Sequence, residues 1–259
     1  MTALRTTIVS LSFTLLTAAS ALAGAPLATD DAGTIDVGAV EIGIGSSYPY
    51  DKEAAVKTTA TDAELSVGTG LYKKLSINVA IPYLINERVK EDGVLVGKSD
   101  GFGDMTVELK YAFAELAGIK LAIKPAVIIP TGKSDLTENH WQYGATLIAT
   151  TELERGKYAL HANLGYEHHN YNDDVAGVRN NLWSGSIAGE MEVTKGLFAV
   201  ADFGLGTNPE EGADDLPVYA LAGARYEIND HFEVNAGVKL GLTMPEDDIS
   251  VLYGLVMKF

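Results

Sequence analysis

The chain of 259 residues contains no cysteine, which excludes both a disulfide framework and a metal site built from thiolates. Basic residues are also few: 19 lysines and arginines stand against 35 aspartates and glutamates, and the formal net charge is −16. This acidity argues against a nucleic-acid partner, because proteins that bind nucleic acids carry basic patches. We therefore predict no nucleic acid among the partners.

Long apolar runs are missing from most of the chain. One short run, Ile8–Ala19, follows Arg5 and precedes small residues at Ala21 and Ala23. This order is typical of a secretory signal peptide, and we predict that residues 1–23 are removed. No later run approaches the roughly 20 apolar residues that a membrane helix needs. Secretion without cysteine favours the periplasm or the outer membrane, and a position in the membrane would require a β-barrel.

The rest of the chain consists of short segments in which apolar residues alternate with polar or small ones. In one of them Leu75, Ile77 and Val79 point to one face, and Ser76 and Asn78 point to the other. A period of two residues is typical of a strand with one apolar face. We count about twelve such segments (10–14), each about ten residues long, as in outer-membrane barrels. The fold class predicted is therefore all-β.

Short and long connections alternate between these segments. The short ones are residues 72–74, 115–118, 154–156, 194–196 and 229–231, and the long ones are residues 49–58, 86–104, 131–140, 172–181, 208–216 and 243–247. Such alternation places turns on one rim of a barrel and loops on the other. We predict a transmembrane, antiparallel, up-and-down β-barrel over residues 24–259. Residues 24–33 would form a short periplasmic segment before it, a candidate plug of the mouth.

The two faces of the predicted strands differ in charge. The apolar face carries almost none, whereas the other carries single charged residues between glycines, the reverse of a soluble sandwich. The positions that we predict to line the lumen are Glu41, Glu64, Glu108, Lys110, Lys120, Lys124, Glu190, Asp202, Arg225 and Lys239. These charges either pair and fill a narrow lumen, or line a path for a polar or charged solute.

The last predicted strand, residues 249–259, ends on an aromatic residue. Phe259 and Tyr253 lie on its apolar face. A closing strand of this kind resembles the assembly signal of bacterial outer-membrane β-barrels, which implies the barrel assembly machinery as a partner. The alternative is the final strand of a soluble sandwich.

Four short motifs resemble the signatures of one family of outer-membrane β-barrels, named for the meta-pathway of phenol degradation. They are residues 26–34 with Gly38 and Glu41, residues 81–83, residues 101–104 and residues 129–132. The resemblance implies a channel or transporter in the bacterial outer membrane, for small solutes that include hydrophobic or aromatic ones. The same prolines and glycines also suit strand ends and turns.

The sequence contains no phosphate-binding loop of the Gly-x-x-x-x-Gly-Lys-Ser/Thr type. We predict no enzyme, no catalytic residue and no cofactor. His161, Glu167 and His169 share one strand face, and His140 lies in a loop. A metal site at the rim is one interpretation of these residues, and hydrogen bonding at the rim is the other. We predict the second, and no metal.

Together these observations predict a protein that lets small solutes cross the outer membrane passively. The alternative is a closed structural or surface-interaction barrel without a through-path. The partners expected are outer-membrane lipid and lipopolysaccharide, the assembly machinery and a small solute. The long loops are rich in acidic residues such as Asp214 and Asp215. We expect these carboxylates to bind divalent cations beside lipopolysaccharide and to favour cations at the channel mouth.

Overall fold

The computed structural model describes residues 26–171 and 176–259, so the predicted signal peptide lies outside the described residues. The described residues form thirteen strands in one antiparallel sheet. The strands are β1 (Val40–Glu53), β2 (Val56–Tyr72), β3 (Leu75–Glu91), β4 (Val94–Phe102), β5 (Met105–Leu116), β6 (Ile119–Ile129), β7 (Gln142–Leu153), β8 (Tyr158–His168), β9 (Asn181–Thr194), β10 (Leu197–Gly206), β11 (Val218–Asn229), β12 (Phe232–Gly241) and β13 (Ile249–Lys258). A short 3-10 turn, Glu154–Gly156, joins β7 to β8. No helix in the described part of the chain is long and apolar enough to span a membrane.

The sheet closes on itself because β1 pairs with β13, with Ile44 opposite Leu255. β4 and β5 both pair with β3 and are separated by Gly103 and Asp104, so they count as one interrupted strand of the wall. The barrel therefore has twelve strands. The predicted all-β, up-and-down barrel of about twelve strands is confirmed.

Two predicted loops are in fact strands. The structure continues β1 and β2 to a turn at residues 54–55, and β3 and β4 to a turn at residues 92–93, so the loops predicted at 49–58 and 86–104 are wrong. Asp92 has φ 49° and Gly93 has φ 82°, the positive values of a type I′ hairpin turn. Asp-Gly is a strong hairpin signal, and it explains why pairing continues to this tip.

The barrel is apolar outside and polar inside. Leu164 and Ile187 point outward with 52% and 62% of their surface exposed. The inward side chains that are buried are mostly polar or charged, among them Asn78, Glu108 and Thr150. An exterior of this kind is stable only in contact with lipid, because a soluble protein exposes its polar face.

Two outward aromatic pairs lie in the half of the barrel away from the periplasmic turns. Tyr83 and Phe102 are in edge contact with ring centroids 4.7 Å apart, and Tyr166 and Trp183 are 4.8 Å apart. Aromatic girdles of this kind mark the membrane interface in barrels. Beyond the Tyr83–Phe102 pair, β3 and β4 continue as an external part that ends at Glu91 and Val94.

Leu164→Arg should disrupt insertion. Leu164 lies on the lipid-facing side of β8 between Tyr158 and Tyr166. An arginine on this side of a barrel costs about 2–4 kcal/mol near the membrane midplane and less toward the interfaces. Val94→Arg, exposed on the external part of β4 opposite Glu91, is the control and should cost little. The measurement is folding into liposomes followed by urea titration, and equal loss in both variants would contradict the assigned depths.

Deleting Phe259 should reduce the yield in the outer membrane. The backbone of Phe259 bonds that of Val40 in both directions, at 2.8 and 3.0 Å, but the ring is 65% exposed and has little packing to lose. Refolding of the deletion from urea into detergent should therefore survive. Comparing the two yields tests the assembly role, and unchanged insertion in cells would contradict it.

Candidate functional site

The residues before β1 form a segment that crosses the inside of the barrel, which we call the lumen segment (residues 26–36). Pro26 begins it against two glycines of the wall. A Cβ atom at Gly223 or Gly237 would lie 2.8 or 2.9 Å from Cγ of Pro26. Glycine within a strand often marks a close approach by another backbone. These two glycines therefore leave room for the segment.

Two apolar side chains of the lumen segment are buried in the wall. Leu27 is 4% exposed. It packs against small or branched side chains of β9, β10 and β11: Ala188, Val200 and Leu221. Ala32 packs against Ala122 and Ile148 on β6 and β7. The segment thus has one apolar contact near its start and another near its end.

Asp202 on β10 binds the backbone of the lumen segment. The N–H groups of Ala28 and Thr29 both donate to its Oδ2 at 2.8 Å. The Thr29 hydroxyl lies 2.8 Å from Oδ1 of Asp202 and 2.7 Å from the Ser186 hydroxyl. Two backbone donors satisfied by one carboxylate fix the height of the segment in the barrel.

Asp30 is an ionic anchor of the lumen segment. Its carboxylate lies 2.7 Å from Nζ of Lys110 and 3.0 Å from Nζ of Lys124, and Lys124 also lies 3.2 Å from Glu108. The side chains of Asp30, Lys110 and Lys124 are only 3%, 9% and 8% exposed. Charges buried this deeply are stable only when they are paired, and removing one partner is costly.

Polar contacts continue from the segment along the wall. The Ala32 N–H donates to the Thr150 hydroxyl at 2.9 Å, which lies 3.0 Å from Nδ1 of His161. Nε2 of His161 lies 3.5 Å from Glu190, and Nε of Arg225 donates to Glu190 at 2.8 Å. This row connects β7, β8, β9 and β11 on the inside of the barrel.

A cavity of about 430 Å³ lies between the lumen segment and the periplasmic half of the wall. Its lining contains seven carboxylates: Asp31, Glu41, Glu108, Glu152, Glu190, Glu227 and Glu233. It contains four lysine or arginine side chains: Lys110, Lys124, Arg225 and Lys258. The cavity is therefore polar, with an excess of negative groups.

The structure places the predicted lumen residues at different heights in the barrel. Glu41, Glu108, Lys110, Lys124, Glu190 and Arg225 line the cavity. Lys120 pairs with Glu152 at 2.7 Å near the periplasmic mouth, and Lys239 pairs with Glu246 at 2.7 Å near the external mouth. Asp202 binds the lumen segment, and Glu64 is half-buried on β2 opposite Gly45.

Sequence reasoning missed the roles of Leu27, Thr29 and Asp30. It marked their stretch only as a candidate plug, because charge alternation identifies inward positions without identifying partners. One signal was available: two adjacent aspartates, Asp30 and Asp31, precede the first strand of a barrel whose wall carries inward lysines.

The external rim holds a cluster around His169. Its Nε2 lies 3.1 Å from Glu167 and its Nδ1 lies 3.7 Å from Glu138. His161 lies deep in the lumen and His140 contacts the backbone oxygen of Glu138. Within residues 26–171 and 176–259, no group of three or more histidine and acidic side chains could hold a metal ion.

The His169 ring should titrate well above its ordinary range. Burial lowers its pKa, but hydrogen bonds and ion pairs with Glu138 and Glu167 outweigh burial and raise the pKa from 6.5 to about 9. Because the pKa is raised on folding, the stabilisation is complete below about 6.5 and is lost as pH rises through about 9. Histidine NMR of the protein in micelles checks this, with Glu138→Gln expected to lower the midpoint. A midpoint near 6.5 in the unsubstituted protein would contradict the paired geometry.

These features define the class of protein. A closed antiparallel barrel with a lipid-compatible exterior, aromatic girdles and a polar interior is a β-barrel of the bacterial outer membrane. The chain belongs to the family described as "Putative MetA-pathway of phenol degradation", whose profile matches residues 46–259. The predicted family resemblance and the predicted outer-membrane location are confirmed.

Solved structures share the fold at low sequence identity. One is an outer membrane channel from Pseudomonas putida F1, with 18% identity and a TM-score of 0.74 over 88% of this chain and 98% of that one. Another is the NanC porin, with 11% identity and a TM-score of 0.57 over 85% of this chain and 100% of that one. A third is the translocator domain of the autotransporter NalP from Neisseria meningitidis, with 9% identity and a TM-score of 0.53 over 85% and 88%. No curated protein matches the chain.

Proposed function

We propose that the protein is a passive channel for small solutes, and that the lumen segment moves when a solute passes. The observation that carries this proposal is the charged cavity beside a segment that the wall holds mainly by side-chain contacts. A barrel of about twelve strands lies between the eight-stranded barrels that side chains fill and the sixteen-stranded barrels that hold an aqueous channel. Its lumen can therefore be closed by one crossing segment and opened by its displacement.

The charges of the cavity support a preference for cations. Seven carboxylates face four lysine or arginine side chains, and a low-dielectric wall focuses the field of such an excess. The acidic loop residues Asp214 and Asp215 add negative charge at the external mouth. Exposed charges are screened beyond about 8 Å at physiological salt, so the preference should grow as salt is lowered.

The family name and the polar lining point to different solutes. The family is named for a phenol pathway, whereas the cavity lining is largely charged. We propose small polar solutes as the main class, with small aromatic compounds also passing. The fold likeness to an outer membrane channel and a porin supports a role in passage, and we propose no catalytic activity.

Planar-bilayer recording tests the proposal. We expect small, cation-preferring steps whose selectivity rises at low salt and falls when Asp214 and Asp215 are neutralised. Swelling of proteoliposomes by a pentose and by phenol, with empty liposomes as the control for phenol, ranks the two solute classes. Absence of both conductance and swelling would overturn the channel.

The alternative is a closed structural barrel, and the packing of the lumen segment favours it. Leu27, Thr29 and Asp30 are all buried against the wall, so a segment that never moves would leave no through-path. The two functions differ in the conductance expected when the contacts of the segment are weakened. Only the conductance of a channel should change.

A further inference from the structure

The first four strands extend beyond the external aromatic girdle as a twisted sheet, which we call the extension (residues 50–61 and 86–100). Its basic residues face one another across the strands. Lys52 is the pairing partner of Lys57, Lys57 is the partner of Lys90, and Arg88 is the partner of Lys98. Directly opposed residues in antiparallel strands share one face of the sheet. Five basic side chains therefore lie on the same face.

This face continues the lipid-facing surface of the barrel beyond the external aromatic girdle. Lys52 follows Tyr48 and Tyr50 at two-residue intervals on β1, and Tyr48 is exposed on the outside of the barrel. The opposite, inner face of the extension carries acidic residues instead: Asp51, Glu53, Glu87 and Glu91. The extension thus separates its charges, with basic groups outside and acidic groups inside. Asp100 is the acidic exception on the outer face, below Lys98.

The five basic side chains are exposed and lack acidic partners. Within the described residues, no salt bridge includes Lys52, Lys57, Arg88, Lys90 or Lys98. The ammonium of Lys57 lies 4.7 Å from the centre of the Tyr50 ring, and Asp248 binds only the backbone N–H of Lys52. Like charges placed directly opposite each other destabilise a sheet. An external anion would remove that cost.

The height of this face matches a lipid headgroup. Lys52 is four residues beyond Tyr48, and Lys98 is four residues before Phe102. Four residues span about 13 Å along a strand, and less along the membrane normal because barrel strands tilt. The basic face therefore begins immediately above the aromatic girdle, where the phosphates of the outer leaflet lie.

We propose that this face binds the phosphate groups of lipopolysaccharide in the outer leaflet. Lysine and arginine form charge-assisted hydrogen bonds with phosphate, and arginine can do so with two parallel bonds. Lipopolysaccharide supplies closely spaced phosphates joined to acyl chains, which suits a cationic surface continuous with an apolar one. The proposed contact is direct and lies on one side of the barrel, and it adds to the expected bridging of lipopolysaccharide to the acidic loops by divalent cations. It rests on the membrane position alone and not on the proposed channel.

Binding of purified lipid A to the barrel in detergent, with EDTA present, tests the proposal by native mass spectrometry. The variant is Lys57→Gln, Arg88→Gln, Lys90→Gln and Lys98→Gln together. The control removes four exposed lysines at the periplasmic rim: Lys73→Gln, Lys74→Gln, Lys157→Gln and Lys195→Gln. Both sets change the net charge equally, and heat-modifiable migration on gels reports folding. The pair Lys57→Gln and Lys98→Gln serves if the larger set fails to fold.

We expect the extension variant to bind diphosphorylated lipid A at least about tenfold more weakly, since each cation near a membrane surface contributes several-fold to binding. The periplasmic control should bind as the unsubstituted protein does. Dephosphorylated lipid A should bind weakly to all three, and inorganic phosphate at the same concentration should not compete. Equal weakening in both variants would overturn the site, as would equal affinity for phosphatidylglycerol or displacement by inorganic phosphate.

Discussion

Deleting residues 26–35 should raise the single-channel conductance by roughly threefold or more, because a lumen wider than that of an eight-stranded barrel loses the segment that crosses it. The deletion also removes Asp30 and Asp31 and leaves Lys110 and Lys124 facing water. The reversal potential in a salt gradient should therefore move toward anion preference. The apolar contacts of Leu27 are lost as well, but the strand pairing of the wall does not depend on them.

The control for this deletion is the folded state of the barrel. Heat-modifiable migration and strand content by circular dichroism should match those of the complete protein, because every wall strand keeps both neighbours. An unchanged conductance with a folded barrel would mean that the segment does not limit passage. A loss of folding would mean that the segment is part of the core.

Asp30→Asn should weaken the seating of the segment without removing it. The substitution leaves Lys110 and Lys124 buried with no carboxylate from the segment, although Lys124 keeps Glu108 at 3.2 Å. Removing one member of a buried ion pair costs about 3–5 kcal/mol. Since the wall is intact, the loss should appear as longer and more frequent openings in bilayer recordings.

Asp31→Asn is the matched control, because it makes the same charge change one residue away. The Asp31 carboxylate accepts a hydrogen bond from the backbone of Gly33, two residues along the same segment, and the side chain is less buried than that of Asp30. We expect its open probability to stay close to that of the unsubstituted protein. Equal effects of the two substitutions would point to bulk charge in the lumen rather than to the ionic anchor.

The wall of the barrel could be predicted from the sequence because it depends on a local pattern. Alternation such as that of residues 75–79 assigns each side chain to lipid or lumen, and the closed barrel follows from repeating it. The Asp92–Gly93 turn was also readable, and overlooking it converted the β3–β4 hairpin into a predicted loop. In both cases the deciding residues are neighbours in sequence.

The interior could not be predicted to the same depth because its contacts join distant residues. Asp30 and Lys110 are separated by 80 positions, and Thr29 and Asp202 by 173. Inward-facing acidic and basic residues are both numerous, so the alternation pattern alone does not determine which carboxylate pairs with which lysine or arginine. The basic face of the extension depends on strand register, which becomes visible only when the two hairpins are paired.

The most direct test of the central claim, that passage requires movement of the lumen segment, is a reversible lock. Thr29→Cys with Ser186→Cys places two thiols where the hydroxyl oxygens are 2.7 Å apart, in a protein with no other cysteine. A disulfide between them would tie the segment to β9. We predict that the oxidised protein shows almost no conductance in planar bilayers and that a reductant restores it in the same membrane. Equal conductance before and after reduction, with the disulfide verified by mass spectrometry, would contradict the account.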